Sequence, residues 1–204
     1  MSLTTTSITR LRPYADESSL ERAGGHRINW AAVTAVNGVK RVQSGTVVGR
    51  KAGLAQPCAV SVTLTSVAVA TNVATATLEA HGFAVGDVIT VAGANLAYVN
   101  GTKTIATVPT ADTFTYAATG ADATATGTIT ARVTAQGILE TDANESSSTE
   151  ALTGYSLLVG GVLYETLLPD ATGGPPKALP AAYKTELVAA GCTFKFIPYA
   201  DSRS

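Results

Sequence analysis

Residues 60–80 read VSVTLTSVAVATNVATATLEA. In the first eleven, apolar side chains alternate with Ser, Thr and Ala at a period of two. That spacing places one set of side chains on each face of a strand and predicts a half-buried strand. Asn72 sits near a turn, and NVATATLEA then resumes the strand texture. Reading toward the C-terminus, HGFAVGDVITVAGANLAYVNGTKTI (81–105) is strand, turn, strand. Gly82, Gly86–Asp87, Gly93 and Asn100–Gly101 punctuate it. TKTIATV, Pro109, TADTFTYAATG and TATGTITARV follow. About six short strands at spacings of roughly 8–12 residues predict a β-sandwich or small barrel, with no helical period.

The texture changes on both sides of this block. On the N-terminal side, residues 53–57 form a break. Before it, INWAAVTAV and VKRVQSGTVVGR flank Asn37–Gly38, a pattern that predicts a hairpin. Residues 1–26 hold no period and predict an extended arm, with a short helical turn at ESSLERA. On the C-terminal side, VTAQGILE reads as a strand and TDANESSSTEA as an acidic loop. LTGYSLLVGGVLYETLLP reads as two apolar strands around Gly160–Gly161. DATGGPPKALP is a loop. PAAYKTELVAAG predicts a helix, with Pro180 in its first turn and Gly191 ending it. Tyr183, Leu187 and Val188 would share its apolar face. CTFKFIPY is a last strand with Phe194 and Phe196 on one side.

The expected fold is therefore mainly β, with one short helix. An extended arm (1–26) leads into a discontinuous β-rich body (27–58 and 131–204). An all-β, sandwich- or barrel-like module (59–130) is inserted into that body as a separable unit.

The chain has 204 residues, of which 14 % are charged. That lies well under the roughly 25 % of ordinary soluble domains and suits a partly covered surface. Residues 1–58 carry eight Lys/Arg against three acids, a balance of +5, while 59–130 and 131–204 each stand at −3. A basic front suggests contact through the front. Its cations are dispersed and aromatics are few, so no nucleic-acid partner is expected. Cys58 and Cys192 do not make a disulfide framework and read as buried small residues. The first residues lack an apolar signal core, and no run approaches the about 18 apolar residues of a membrane span. Synthesis in a reducing cytoplasm and no membrane partner are expected.

Convergent chemistry is not evident. His26 and His81 stand outside any metal-ligand spacing, and no GxSxG, P-loop or GxGxxG occurs. His81 reads as a turn residue whose ring caps a backbone group, and Asp87 as a turn-former. Asp142, Glu145 and Glu150 read as a solvated loop, with a cation site as the lesser alternative because EF-hand spacing is absent. Trp30, the lone tryptophan, reads as an anchor of the core or of an interface. Phe83, Tyr98, Phe114 and Tyr116 could line a sugar site, with the core as their simpler place. The chain is expected to be no enzyme and to need no cofactor or metal.

Two stretches carry resemblances. In residues 82–120 the elements His81–Phe83, Gly86–Asp87, Tyr98–Gly101 (with Val99 inserted) and Thr113–Tyr116 resemble a β-module common in tailed-phage virion proteins. The flanks resemble the lambda-type head decoration family in the order of their elements. These are GILE at 137–140, the Ser/Thr loop at 146–149, strands ending in VLYETLLP, the helix and the strand TFKFI. The chain departs from that family in the insertion at 59–130.

The resemblance implies a homotrimer that binds the major capsid protein on the outer surface of a virion made in the bacterial host cytoplasm. It implies an arm-side contact through Arg10, Arg12, Tyr14, Arg22 and Trp30. Display of residues 59–130 outward would permit a host-surface or glycan contact. A tail tube or tail fibre component is the alternative. The apolar run at 155–169 adds its own expectation. Leu157, Leu158, Val159, Val162, Leu163, Leu167 and Leu168 point to both strand faces, so one face would remain for symmetric association.

Overall fold

A computed structural model of the chain describes Tyr14 and residues 20–145, 154–169 and 178–198. The strands in chain order begin with β1 (Glu21–His26), β2 (Arg41–Val42), β3 (Val47–Lys51), β4 (Leu54–Pro57) and β5 (Ser61–Thr63). They continue with β6 (Ser66–Ala70), β7 (Val73–Thr77), β8 (Val88–Ala92), β9 (Gly101–Thr110), β10 (Thr113–Ala117) and β11 (Ala123–Thr124). The last are β12 (Thr130–Val133), β13 (Gly137–Leu139), β14 (Ala143–Asn144), β15 (Tyr155–Tyr164) and β16 (Thr193–Ile197). One α-helix, α1 (Ala181–Ala189), is present among the described residues. The fold is mainly β, with antiparallel pairing except between β15 and β16 and at the isolated bridge between Ile28 and Ala55, which are parallel.

The strands β5 to β12 form one eight-stranded sheet in the order β11-β6-β7-β10-β9-β8-β12-β5. Its two ends meet. Only Leu64 and Thr65 separate β5 from β6, and this nearly continuous strand pairs along one side with both β11 and β12. The bonds Leu64 N–H to Ile129 O and Ala125 N–H to Val67 O, both 2.8 Å, bridge the gap between those pairings. The sheet is thus closed and barrel-like, with no long free edge. Strict alternation in β6, β7, β8 and β10 sends Val67, Val69, Ala74, Ala76, Ile89, Val91, Phe114 and Tyr116 inward. Thr75, Thr77, Thr90, Thr113 and Thr115 are among the outward positions, where a β-branched side chain suits a strand.

The remaining strands follow the path β1-β15-β13-β3-β4. A single parallel bridge, Ile28 to Ala55, brings the two edges of this sheet together. After β1 the chain bends, and Asn29 N–H donates to Ala55 O while Ala55 N–H donates to Arg27 O, each at 2.8 Å. Residues 21–29 therefore pair with β15 at one edge and with β4 at the other. Consecutive residues point to opposite faces. Val48, Leu139 and Leu157 fill the interior with Ile28, Ala55 and Tyr155. Their neighbours Val47, Ile138 and Leu158 face outward and join the core of the first sheet.

Several local expectations change. The hairpin around Asn37–Gly38 shrinks to one bridge, Val36 to Val39, because residues 30–32 form a 3-10 turn and β2 pairs with β14 instead. The 155–164 run is one unbroken strand, not two. Gly160 lets it pass tightly between neighbours: a Cβ there would lie 2.2 Å from Thr193 Oγ1. Residues 21–23 of ESSLERA belong to β1, not to a helical turn, and residues 17–19 lie outside the described set. The inserted sheet has eight strands rather than about six, and β12 continues to Val133. In α1, Leu187 is buried, but Val188 is 68 % exposed and does not share its face. Gly191, at φ +84°, ends the helix as expected.

Candidate attachment surface and the inter-barrel joint

The residues proposed for contact scatter. Arg10 and Arg12 lie outside the described residues. Tyr14 and Arg22 come together on Glu140. The Tyr14 hydroxyl donates to Glu140 O at 2.8 Å, and Arg22 Nε donates to Glu140 Oε1 at 2.7 Å. Arg22 remains 44 % exposed, so its pairing contributes little to stability. Trp30 stands apart from these two. Its ring packs, partly buried, against the interior cluster of the body barrel, which fits its reading as a core anchor. Its carbonyl accepts a bond from Lys40 Nζ at 2.9 Å.

Beside Trp30 the end of the body barrel opens into a cleft of about 640 Å³. Its lining is mixed: Val33, Val36, Val39, Val42, Pro57 and Pro169 share it with Thr34, Arg41, Gln43, Thr46 and Asn144. Val36 is 72 % and Val39 50 % exposed, and they sit on the two sides of the Asn37–Gly38 turn. This is the place on the body where exposed large apolar side chains adjoin. The apolar run of β15 is covered in part, with Val159, Val162 and Leu167 left half-buried. Leu157 is buried inside the barrel, and Leu158, Leu163 and Leu168 are buried in the shared core.

The densest polar constellation lies between the barrels. Glu186 on α1 is nearly buried and accepts from Arg132 Nη2 at 2.6 Å, Arg132 Nη1 at 3.0 Å, Ala135 N–H at 2.9 Å and Thr90 Oγ1 at 2.9 Å. Arg132 also lies 4.7 Å over the Tyr183 ring. Burial alone would raise the Glu186 carboxyl. The bonds from Arg132, Ala135 and Thr90, with the Arg132 charge, outweigh burial and hold it below the ordinary range. Burial likewise pulls the Arg132 guanidinium down, and the Glu186 carboxylate more than restores it.

A second contact lies at the tip of the β3–β4 hairpin. Asp87 accepts from Ala84 N–H at 2.8 Å, as a turn-former should, and also from Ala52 N–H at 2.9 Å across the joint. Lys51 Nζ sits 4.5 Å over the Phe83 ring, where burial lowers its pKa and the Asp87 charge partly opposes that. Between the two contacts, Gly49 in β3 lies so close to the inserted barrel that a Cβ would fall 2.2 Å from Thr134 O.

His81 is buried, and its Nδ1 accepts from Phe83 N–H at 3.0 Å, the backbone cap read from the sequence. Phe83, Phe114 and Tyr116 are core residues, while Tyr98 is partly exposed and donates to Ala121 O at 2.7 Å. Cys58 and Cys192 are buried free thiols. Among the described residues no three His, Cys, Asp or Glu side chains are placed to hold a metal, and no helix is long and apolar enough to cross a membrane.

Sequence reading missed the joint. Glu186 beside Leu187 was its one visible trace, an acid next to the buried position of a helix. Its partners Arg132 and Gly49 lie far away in sequence, and periodicity does not pair distant residues. A scan of the sequence against family models finds no match, and a search of curated proteins finds no relative.

Proposed function

We propose that the chain is a structural virion protein of a tailed phage: a trimer that binds the outside of the capsid, reinforces the shell and holds the inserted barrel outward. The observation that carries this reading is the joint. A barrel displayed from a surface needs a fixed attitude. Here a buried ion pair, a capped hairpin tip and a glycine contact hold the inserted barrel to the body at three places. The resemblances at 82–120 and 137–197 supply the setting. The body would make the shell contact, with the arm extending it as an added strand.

Leu157, Leu158, Leu163 and Leu168 of the 155–169 run are buried within the chain, so what the run would offer a neighbour is the half-buried set Val159, Val162 and Leu167. The cleft, with Val36 and Val39 exposed on its rim, is a second surface available for a neighbour. A ring of three copies needs two different surfaces per copy, and the cleft would be the concave one. Light scattering of the purified protein, followed by co-sedimentation with capsids stripped of their decoration, tests the reading. A trimer that adds to shells supports it. A monomer that fails to add overturns it, and a trimer or polymer that binds tails instead moves the function to a tail tube or fibre.

A further inference from the structure

The chain contains two Asn-Gly pairs, Asn37–Gly38 and Asn100–Gly101, and the fold treats them oppositely. Asn37 is exposed, and its side chain has no hydrogen-bond partner among the described residues. It and Gly38 sit at φ +52° and +78°, the two centre positions of a tight turn. Within the turn itself the bonds are the pair between Val36 and Val39, 2.9 and 3.1 Å; the short ladder of β2 begins only at Arg41, and no strand precedes Val36 back to the 3-10 turn. A turn so thinly supported opens at little free-energy cost. Around Gly38 there is open space: even a Cβ would meet nothing within 4 Å.

Asn100 is the reverse. Its Oδ1 accepts from Ala94 N–H at 3.0 Å and its Nδ2 donates to Ala94 O at 2.8 Å. Gly101 begins β9 and pairs with Val91 in the closed sheet. Turning the Asn100 carboxamide toward the Gly101 nitrogen would break both bonds and the start of the ladder.

We propose that Asn37 is a site of spontaneous covalent modification, converted without an enzyme to aspartate and isoaspartate, and that the fold protects Asn100 from the same reaction. The Gly38 backbone nitrogen, having lost its proton to solvent base, attacks Asn37 Cγ and forms a new C–N bond. The bond from Cγ to the side-chain nitrogen breaks, and that nitrogen leaves as ammonia after taking protons from water. The resulting five-membered imide is opened by water at either of its carbonyl carbons. One opening gives aspartate; the other gives isoaspartate, in which the main chain runs through the side-chain carbon. No redox partner is needed, and the net change is water in and ammonia out.

The product matters because of its position. Either opening sets a new carboxylate between Val36 and Val39, on the lip of the cleft and close in sequence to Lys40 and Arg41. Isoaspartate also adds a carbon to the main chain of a two-residue turn, which shifts Val36 against Val39. The cleft therefore changes charge and rim shape as the protein ages.

The test incubates the intact protein at mildly alkaline pH and follows both sites by peptide mass spectrometry. Isoaspartate is scored separately with an isoaspartyl methyltransferase. In the folded protein Asn37 should convert at least about tenfold faster than Asn100, because only the latter must wait for the barrel to open. In denaturant the two rates should converge, and Asn37→Gln should abolish the signal at its own peptide only. Equal rates at both sites in the folded protein, or an Asn37 that stays intact while Asn100 converts, would overturn the proposal.

Discussion

The two barrels reach closure by different routes. The inserted one is built from residues 61–133 without interruption and closes every pairing inside that span. The body barrel is assembled from residues 20–29, 47–57 and 137–164, and its short interior is mostly aliphatic. The inserted interior is aromatic at its centre, with Phe83 and Phe114 edge to face at 5.3 Å and His81 against both. Strand pairing separates the two cleanly, but packing and the side-chain bonds of the joint do not. The core cluster of the inserted barrel runs on through Val47, Cys58, Ile138, Leu158 and Leu187 of the body. An insertion can thus be topologically self-contained while its host depends on it for cover.

The largest effect should come from cutting the molecule at that boundary. Expressed alone, residues 59–136 should fold, since no ladder pairing is lost. The complementary body, with 58 joined to 134 by a short Gly linker, should lose cooperative unfolding, because Val47, Ile138 and Leu158 would face water. This reverses the separability expected of the body from sequence. A body that still gives a sharp thermal transition by circular dichroism would show that the shared packing is dispensable.

Next in size is Phe114→Ala, which should cost about 4 kcal/mol through lost burial and the cavity left behind. Its use lies in where the effect is read. Trp30 packs on the body interior, so its fluorescence reports the body barrel. If the barrels unfold as one unit, the Trp30 transition shifts as far as the circular dichroism does. A Trp30 midpoint left unmoved would mean the two cores melt independently.

Glu186→Ala should cost about 3 kcal/mol, since it strands a guanidinium that is only 18 % exposed. Replacing both partners, Arg132→Met with Glu186→Leu, should recover most of that loss. The sign of the pH effect follows from the depressed carboxyl. The contribution of Glu186 is present above the pKa of an unfolded glutamate and is lost as pH falls through the lower folded value. Denaturant midpoints of the wild type should therefore fall more steeply in acid than those of the double variant; parallel profiles would deny the joint this role.

How much of this was legible varies with the range of the interaction. The strands of the inserted barrel announce themselves because burial on one face imposes period two, as at Val67, Val69, Ala74 and Ala76. The helix was legible through Pro180 and Gly191. Where both faces are buried the signal blurs: Leu157 and Leu158 enter different cores, so Gly160–Gly161 looked like a turn in a strand that never turns. Neither closure was visible, since each depends on one bent segment pairing at two edges. The joint was hidden for the same reason. Glu186, Arg132, Gly49 and Asp87 meet through tertiary structure alone.

The smallest predicted effect separates the two interiors by polarity. The body interior contains Tyr155 at its edge, whereas the inserted one holds Tyr116 fully buried with a hydroxyl that has no hydrogen-bond partner. Such a group keeps its desolvation penalty without compensation. Tyr116→Phe removes the hydroxyl and leaves the ring against Phe114, so it should stabilise the protein by about 1 kcal/mol. Burial also pushes the phenol up to about 12. The folded state therefore holds its proton where the unfolded chain, titrating near about 10, would release it, and stability declines as pH rises above that value. The phenylalanine variant is free of this decline, so its advantage should widen in alkali. Urea midpoints at neutral and alkaline pH measure both effects. A variant less stable than the wild type at neutral pH would show that the hydroxyl is bonded to an internal water, and that the inserted barrel is not dry at its centre.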